Sequence, residues 1–110
     1  MTQPEERRET SRVVPRYTVH AVVESARDSA RSVVADVSES GAALLPARPG
    51  LRAHDELILS LTFPGHDPVA ATGRVVWVVK SEREPGRFGV RWTHGGLNRA
   101  RLEALVRHCG

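Results

Sequence analysis

Apolar residues along this chain recur mostly every second position, and the runs they form are short and cut by turn residues. Tyr17, Val19, Ala21 and Val23 alternate with Thr18, His20, Val22 and Glu24. A period of two is the signature of a strand with one face buried. The polar stretch Ser25–Ser32 then reads as a turn or loop. Val33, Ala35 and Val37 restart the alternation as a second strand, which stops at Ser38-Glu-Ser-Gly41. That stop has turn chemistry. A short strand follows over Gly41–Leu45, closed by Pro46 and Pro49-Gly50. Leu57, Leu59, Leu61 and Phe63 share one face of a fourth strand, ended by Pro64-Gly65. Val69, Ala71, Gly73, Val75, Trp77 and Val79 make the longest strand, with Arg74 and Lys80 on its other face. Gly73 inside it predicts a bulge or bend of the kind a closing barrel needs. After Pro85-Gly86, Phe88, Val90 and Trp92 define the last strand.

The end of the chain changes period. Leu102, Leu105, Val106 and Cys109 fall at i, i+3, i+4 and i+7, the stripe of an amphipathic helix, with Asn98 as its N-cap. The pattern is therefore about six short strands and one helix. Evenly spaced strands with Gly/Pro turns predict a small barrel or sandwich. The helix face is expected to cover one barrel end.

Composition narrows this picture. The 110 residues suit one domain, and 40% are hydrophobic and 26% charged, as in ordinary globular proteins. There is no apolar run near 18 residues, so no membrane-spanning helix is expected. The start, Met1–Thr10, lacks the apolar core of a signal peptide. The expectation is a cytoplasmic protein. The lone Cys109 cannot form an internal disulfide and is assigned to packing or to the tail. None of His20, His54, His66, His94 and His108 forms an i, i+3 or i, i+4 ligand pair, so no metal or other cofactor is expected. No nucleophile–base–acid set and no phosphate loop is present, which argues against an enzyme.

The net charge is +3 and the isoelectric point about 10.0, set almost wholly by arginine, since Lys80 is the only lysine. High-GC codon usage accounts for most of that bias, so position must carry the argument. Residues 1–11 read as a flexible arm with almost nothing apolar; residues 12–110 read as the folded domain. Arg8, Arg12 and Arg16 are spaced by four on the arm and its junction with the first strand. Pro15 keeps Val14 extended. On an extended chain, residues four apart share a side and lie roughly 13 Å apart at about 3.3 Å per residue. That spacing suits a ligand with several phosphates and base edges. A second constellation, Asp36-x-Ser38-x-x-Gly41, sets an acceptor at a strand end, then a hydroxyl donor, then a residue that permits a left-handed turn or a close backbone approach. Singly, each has a plain reading: solvated charge for the arginines, an Asx turn for the other. Their occurrence together, in this order around a strand, is more specific.

In that combination the chain resembles the PilZ family. Arg12-Val-Val-Pro-Arg16 running into Tyr-Thr-Val is similar to the family's RxxxR motif, and Asp36, Ser38 and Gly41 match its D/NxSxxG motif. Gly73-Arg-Val-Val-Trp-Val, Gly86-Arg-Phe-Gly-Val-Arg-Trp and the closing helix look like family elements, so the likeness covers about residues 7–108. The family often has paired arginines in its first motif. Here the doublet Arg7-Arg8 fits only the alternative register Arg7-Arg8-x-x-x-Arg12. The strand position favours Arg12/Arg16, with Arg8 contributing from the arm.

The resemblance implies a six-stranded antiparallel PilZ-like β-barrel with a C-terminal helix. It implies a bacterial, stand-alone receptor or adaptor for the second messenger cyclic di-GMP, acting on motility, exopolysaccharide synthesis, pili or virulence. The arginines would grip guanine O6 and N7, stack on the base and reach phosphate. Asp36 would accept from guanine N1–H and N2–H, Ser38 would contact phosphate, and Gly41 would leave room. Ordering of the arm would relay the signal to an unidentified effector protein. Cyclic di-GMP and that effector are the partners implied, with no membrane or nucleic acid, the protein being a monomer or weak dimer. Two other readings stand beside it: a PilZ-like adaptor that works by protein contacts without nucleotide, and a nonspecific nucleic-acid-binding barrel. The latter would need exposed aromatic platforms, and Trp77 and Trp92 are expected in the core.

Overall fold

Residues 12–80, 86–93 and 99–109 are described in this computed structural model. Six strands appear in chain order: β1 (His20–Glu24), β2 (Ser29–Val37), β3 (Gly41–Leu45), β4 (Glu56–Thr62), β5 (Val69–Val79) and β6 (Arg87–Trp92). A helix, α1 (Arg99–His108), follows. All strand pairs are antiparallel. They close into a barrel in the order β1-β2-β3-β6-β5-β4. Closure pairs β1 with both β2 and β4, so no strand is left with an unpaired edge.

The alternation explains which way the strands face. Leu57, Leu59, Leu61 and Phe63 are all buried, as are Val19, Ala21, Val23, Val69, Ala71 and Val75, in one continuous core. From α1, Leu102, Leu105 and Val106 join that core, with Cys109 just past the helix end. Arg101 fastens the same helix to the β4–β5 loop, donating to the carbonyls of Pro68 and Asp67 at 3.3 and 2.5 Å. The expected N-cap, Asn98, lies outside the described residues.

The structure corrects the sequence reading at several places. Strand β1 starts at His20 rather than Tyr17, because the chain bends at Arg16 and Tyr17 after Pro15; Val19 keeps the expected inward phase. The expected loop Ser25–Ser32 shrinks to residues 25–28. Ser25 N donates to Asp28 O at 2.9 Å, and Ser25 Oγ accepts weakly from the amides of Arg27 and Asp28. Residues from Ser29 pair with β1 despite their polarity, because Ser29 and Arg31 face solvent and buried Ser32 bonds the Pro46 carbonyl at 3.3 Å.

The core face of β2 also differs from the expected Val33, Ala35 and Val37. Ser32 and Val34 point inward, and the phase is then reset. Val34 pairs with Leu44 but Asp36 with Ala43, so Ala35 is an extra residue in a bulge. The bulge expected at Gly73 is absent, since Gly73 pairs regularly with Leu57 and Trp92. Its inward position instead makes room for Val90, whose side chain a Cβ there would strike. The bulge of β5 sits three residues later, with Val76 the extra residue between Val75↔Val90 and Trp77↔Gly89.

Candidate functional site

Both bulges act on side chains that carry chemistry. In a regular ladder, with Ala35 paired to a partner of its own, Asp36 would share the inward phase of Val34; the bulge turns its carboxylate out of the barrel. In a regular ladder, with Val76 paired to a partner of its own, Trp77 would share the inward phase of Val75; the bulge turns the indole out and lets Val78 pack on the core instead. Bulges commonly re-aim side chains in this way beside functional sites. Trp77 is therefore not the core residue the alternation predicts. Trp92 is: it is buried and its indole N–H donates to the Ser38 carbonyl at 3.2 Å.

The pairing registers put these residues in one row. Asp36 lies opposite Ala43, Ala43 opposite Gly89, and Gly89 opposite Trp77, across β2, β3, β6 and β5 on the outer face. The indole lies over Gly89, where any Cβ would overlap its ring atoms. A parallel row on the same face runs Gly41, Arg91, Arg74, Glu56. Between the rows opens a groove of about 270 Å3, bounded by Arg12, Ser38, Ser40, Gly41, Trp77, Gly89 and Arg91 among others.

The turn at residues 38–41 is fixed from several sides. Ser38 N donates to Gly41 O at 2.8 Å, and Trp92 N donates to Ser40 O at 2.9 Å. Ser38 Oγ accepts from Ser40 N at 3.2 Å, donates to Gly41 O at 3.4 Å and lies 3.1 Å from Ser40 Oγ. The Ser38 hydroxyl is thus buried within the turn it shapes, while Ser40 is exposed. Gly41 is a close-approach glycine, not a left-handed one. A Cβ there would collide with the Val90 carbonyl oxygen, so any side chain would push β3 off β6.

The arm meets the barrel at Arg12 and Val13. Val13 and Val37 exchange backbone hydrogen bonds of 2.8 and 2.9 Å. That bridge holds Arg12 beside the β2 end, where its Nη1 donates to Asp36 Oδ1 at 2.7 Å. The two sequence motifs therefore touch. Asp36 Oδ2 accepts no hydrogen bond from the described residues and is open to a ligand donor. Arg16 lies away from the groove. The bend turns it toward the helix end, where its amide donates to Cys109 O at 2.8 Å. Arg8 lies outside the described residues. Of the predicted site residues, the structure brings Arg12, Asp36, Ser38 and Gly41 together and leaves Arg16 apart.

A family model for the PilZ domain matches residues 6–109. The chain belongs to the PilZ domain family. Solved structures with the PilZ barrel agree. The PilZ domain of YcgR from Escherichia coli with c-di-GMP superposes with a TM-score of 0.73 at 11% identity, covering 91% of this chain and 88% of that one. The PilZ domain of CeSA from a cellulose-synthesizing bacterium gives 0.70 at 21% identity, covering 90% and 100%. The Bacillus subtilis inhibitor of motility MotI/DgrA gives 0.73 at 15% identity, covering 94% of this chain but 49% of that one. This chain thus spans about half the length of MotI/DgrA. No curated protein sequence matches it. At these identities the neighbours establish the PilZ fold, a closed six-stranded antiparallel barrel with one C-terminal helix.

Among the groove residues not assigned from sequence, Ser40, Trp77 and Arg91 carry groups that can meet a ligand. Arg91 was legible, since the inward phase of Phe88, Val90 and Trp92 places it outward. Trp77 was not, because the unbroken apolar run Val75–Val79 hides where the phase resets.

Proposed function

We propose that this PilZ domain binds cyclic di-GMP in the groove between Arg12 and Trp77 and acts as a receptor rather than as an enzyme. The observation that carries this reading is the Arg12–Asp36 contact, which joins the RxxxR and DxSxxG segments at the lip of a groove with an aromatic wall. Arg12 presents a planar donor fork suited to a guanine edge or a phosphate. The open Asp36 Oδ2 can accept from guanine N1–H and N2–H, which adenine does not offer. Trp77 offers a half-buried ring at the groove wall on which a base can stack. Ser38 and Gly41 act by holding the turn and by bringing β3 close to β6, and the exposed Ser40 hydroxyl is placed to meet a phosphate. Arg8 reaches the ligand from the arm, whereas Arg16, held beside Cys109, joins only if its side chain turns back over the groove.

The c-di-GMP in the YcgR domain structure supports the ligand class. Relay to a protein partner, by ordering of the segment before Arg12, belongs to the same proposal. The solution expected is cytoplasmic, monomeric or weakly dimeric; among the described residues no helix is long and apolar enough to cross a membrane.

Isothermal titration calorimetry tests the reading, with wild type, Arg12→Ala, Arg16→Ala and Asp36→Ala against cyclic di-GMP and cyclic di-AMP. Heat for wild type with the guanine ligand alone, lost in Arg12→Ala and Asp36→Ala, is the expected result. Absence of heat and of a thermal shift for wild type refutes the receptor and leaves the adaptor that works by protein contacts.

A further inference from the structure

We propose that Arg91 is a phosphate-binding residue of this groove, an assignment that rests on the receptor reading above. Its place in the row Gly41–Arg91–Arg74–Glu56 is the basis. Directly opposed cross-strand residues interact, and like charges there repel. Arg74 stands opposite Arg91, and the single carboxylate of the row, Glu56, is taken by Arg74 at 3.0 Å. On its other flank Arg91 faces Gly41, which has no side chain to offer. Among the described residues Arg91 therefore has no carboxylate partner.

It is also aimed at a defined place. Arg91 and Gly89 are two apart on β6 and share its outer face, so Arg91 stands one step along from the floor beneath Trp77. Arg12 faces it from the arm across the same groove. The two cations differ in one respect: Asp36 neutralises Arg12, whereas Arg91 is uncompensated. A bridging anion would satisfy it and relieve the repulsion from Arg74. With a base on Trp77 and its edge toward Asp36 and Arg12, the phosphodiester is the anion that Arg91 meets, and a guanidinium can hold two phosphate oxygens at once.

The test uses the full chain and cyclic di-GMP. Wild type, Arg91→Ala, Arg91→Lys and, as an off-site control, Arg107→Ala are compared by calorimetry at two salt concentrations and by thermal unfolding without ligand. Arg91→Ala is expected to weaken binding about ten- to a hundredfold, as loss of a charge-assisted contact does, and to flatten its salt dependence. Its ligand-free melting temperature should equal or exceed that of wild type, because only repulsion has been removed. Arg91→Lys should recover part of the affinity, since a point charge suffices for phosphate, and Arg107→Ala should bind as wild type does. Undiminished binding by Arg91→Ala overturns the assignment while leaving the receptor intact. Arg91→Lys as weak as Arg91→Ala overturns phosphate in favour of a base edge, which needs the fork. Wild type that does not bind overturns the receptor reading itself, and Arg91 with it.

Discussion

At the scale of single residues, stability and binding separate cleanly around the groove. The Arg12–Asp36 pair is solvent-accessible, with the arginine side chain 62% exposed, and pairs of that kind stabilise a fold by only about 0–1 kcal/mol. Asp36→Ala is therefore expected to leave urea unfolding almost unchanged while abolishing cyclic di-GMP heat. Trp77→Ala should behave similarly, weakening binding by about 1–3 kcal/mol, the usual worth of one stacked base, with little loss of fold. Ligand should also quench Trp77 and not Trp92, which emission of Trp77→Phe and Trp92→Phe would separate. Gly41→Ala works the other way: its methyl meets backbone rather than a movable side chain, and overpacking of this sort costs about 1–3 kcal/mol. Cys109 gives a pH dependence. Burial raises its thiol pKa above the ordinary value, partly offset by a backbone hydrogen bond and by the nearby Arg16 charge. A folded-state pKa above the unfolded one means a stabilisation that is complete below the unfolded pKa and fades as pH rises through the folded value. Denaturant stability of wild type should thus sag above about pH 8.5, the free-thiol range, and that alkaline sag should vanish in Cys109→Ala.

At the scale of elements, two bulges do the work of a site. Each inserts one residue, Ala35 in β2 and Val76 in β5, and each sends the next side chain outward. Deleting Val76 would restore a regular β5–β6 ladder in which Trp77 follows Val75 directly and stays opposite Gly89 on the outer face. The deletion is expected to retain ligand binding with Trp77 emission at nearly unchanged wavelength, and lost binding with a shift to shorter wavelength would show that the ladder had re-registered instead. The helix is the other element with a double role. Leu102, Leu105 and Val106 bury its inner face, so Leu105→Ala should cost about 2–5 kcal/mol. Its end also accepts the Arg16 amide through Cys109 O, tying the arginine segment to the fold.

At the scale of the whole molecule, the barrel is a closed body that the chain enters through residues 12–19. From Val13 onward the arm is already fastened, by the bridge to Val37 and the Arg16–Cys109 hydrogen bond. The proposed ligand-induced ordering is thus expected in residues before Arg12 rather than at Val13 or Arg16. Amide exchange should slow on cyclic di-GMP addition in residues 5–11 and change little at Val13 and Arg16; unchanged exchange in 5–11 would remove the relay. Arg12 belongs to both arginine registers, so Arg8→Ala and Arg16→Ala decide between them. Greater loss in Arg16→Ala selects the Arg12/Arg16 register. Saturating ligand at a hundred times its Kd should add about 2.7 kcal/mol to the stability of the barrel by mass action.

The order of six strands and a helix was legible in the chain because period-two and period-3.6 burial leave direct traces, as in Leu57–Phe63 and Leu102–Cys109. The two motifs were legible because Arg12, Asp36, Ser38 and Gly41 lie close to strand ends marked by proline, serine and glycine. What alternation cannot report is its own phase within an unbroken apolar run. Val33–Ala35 and Val75–Val79 offer apolar residues on both faces, so only pairing with β3 and β6 decided where each strand slipped by one. That slip set Asp36 and Trp77 on the outer face, and barrel closure put Arg91 beside them. Backbone pairing between segments distant in sequence, not the local pattern, assembled the groove.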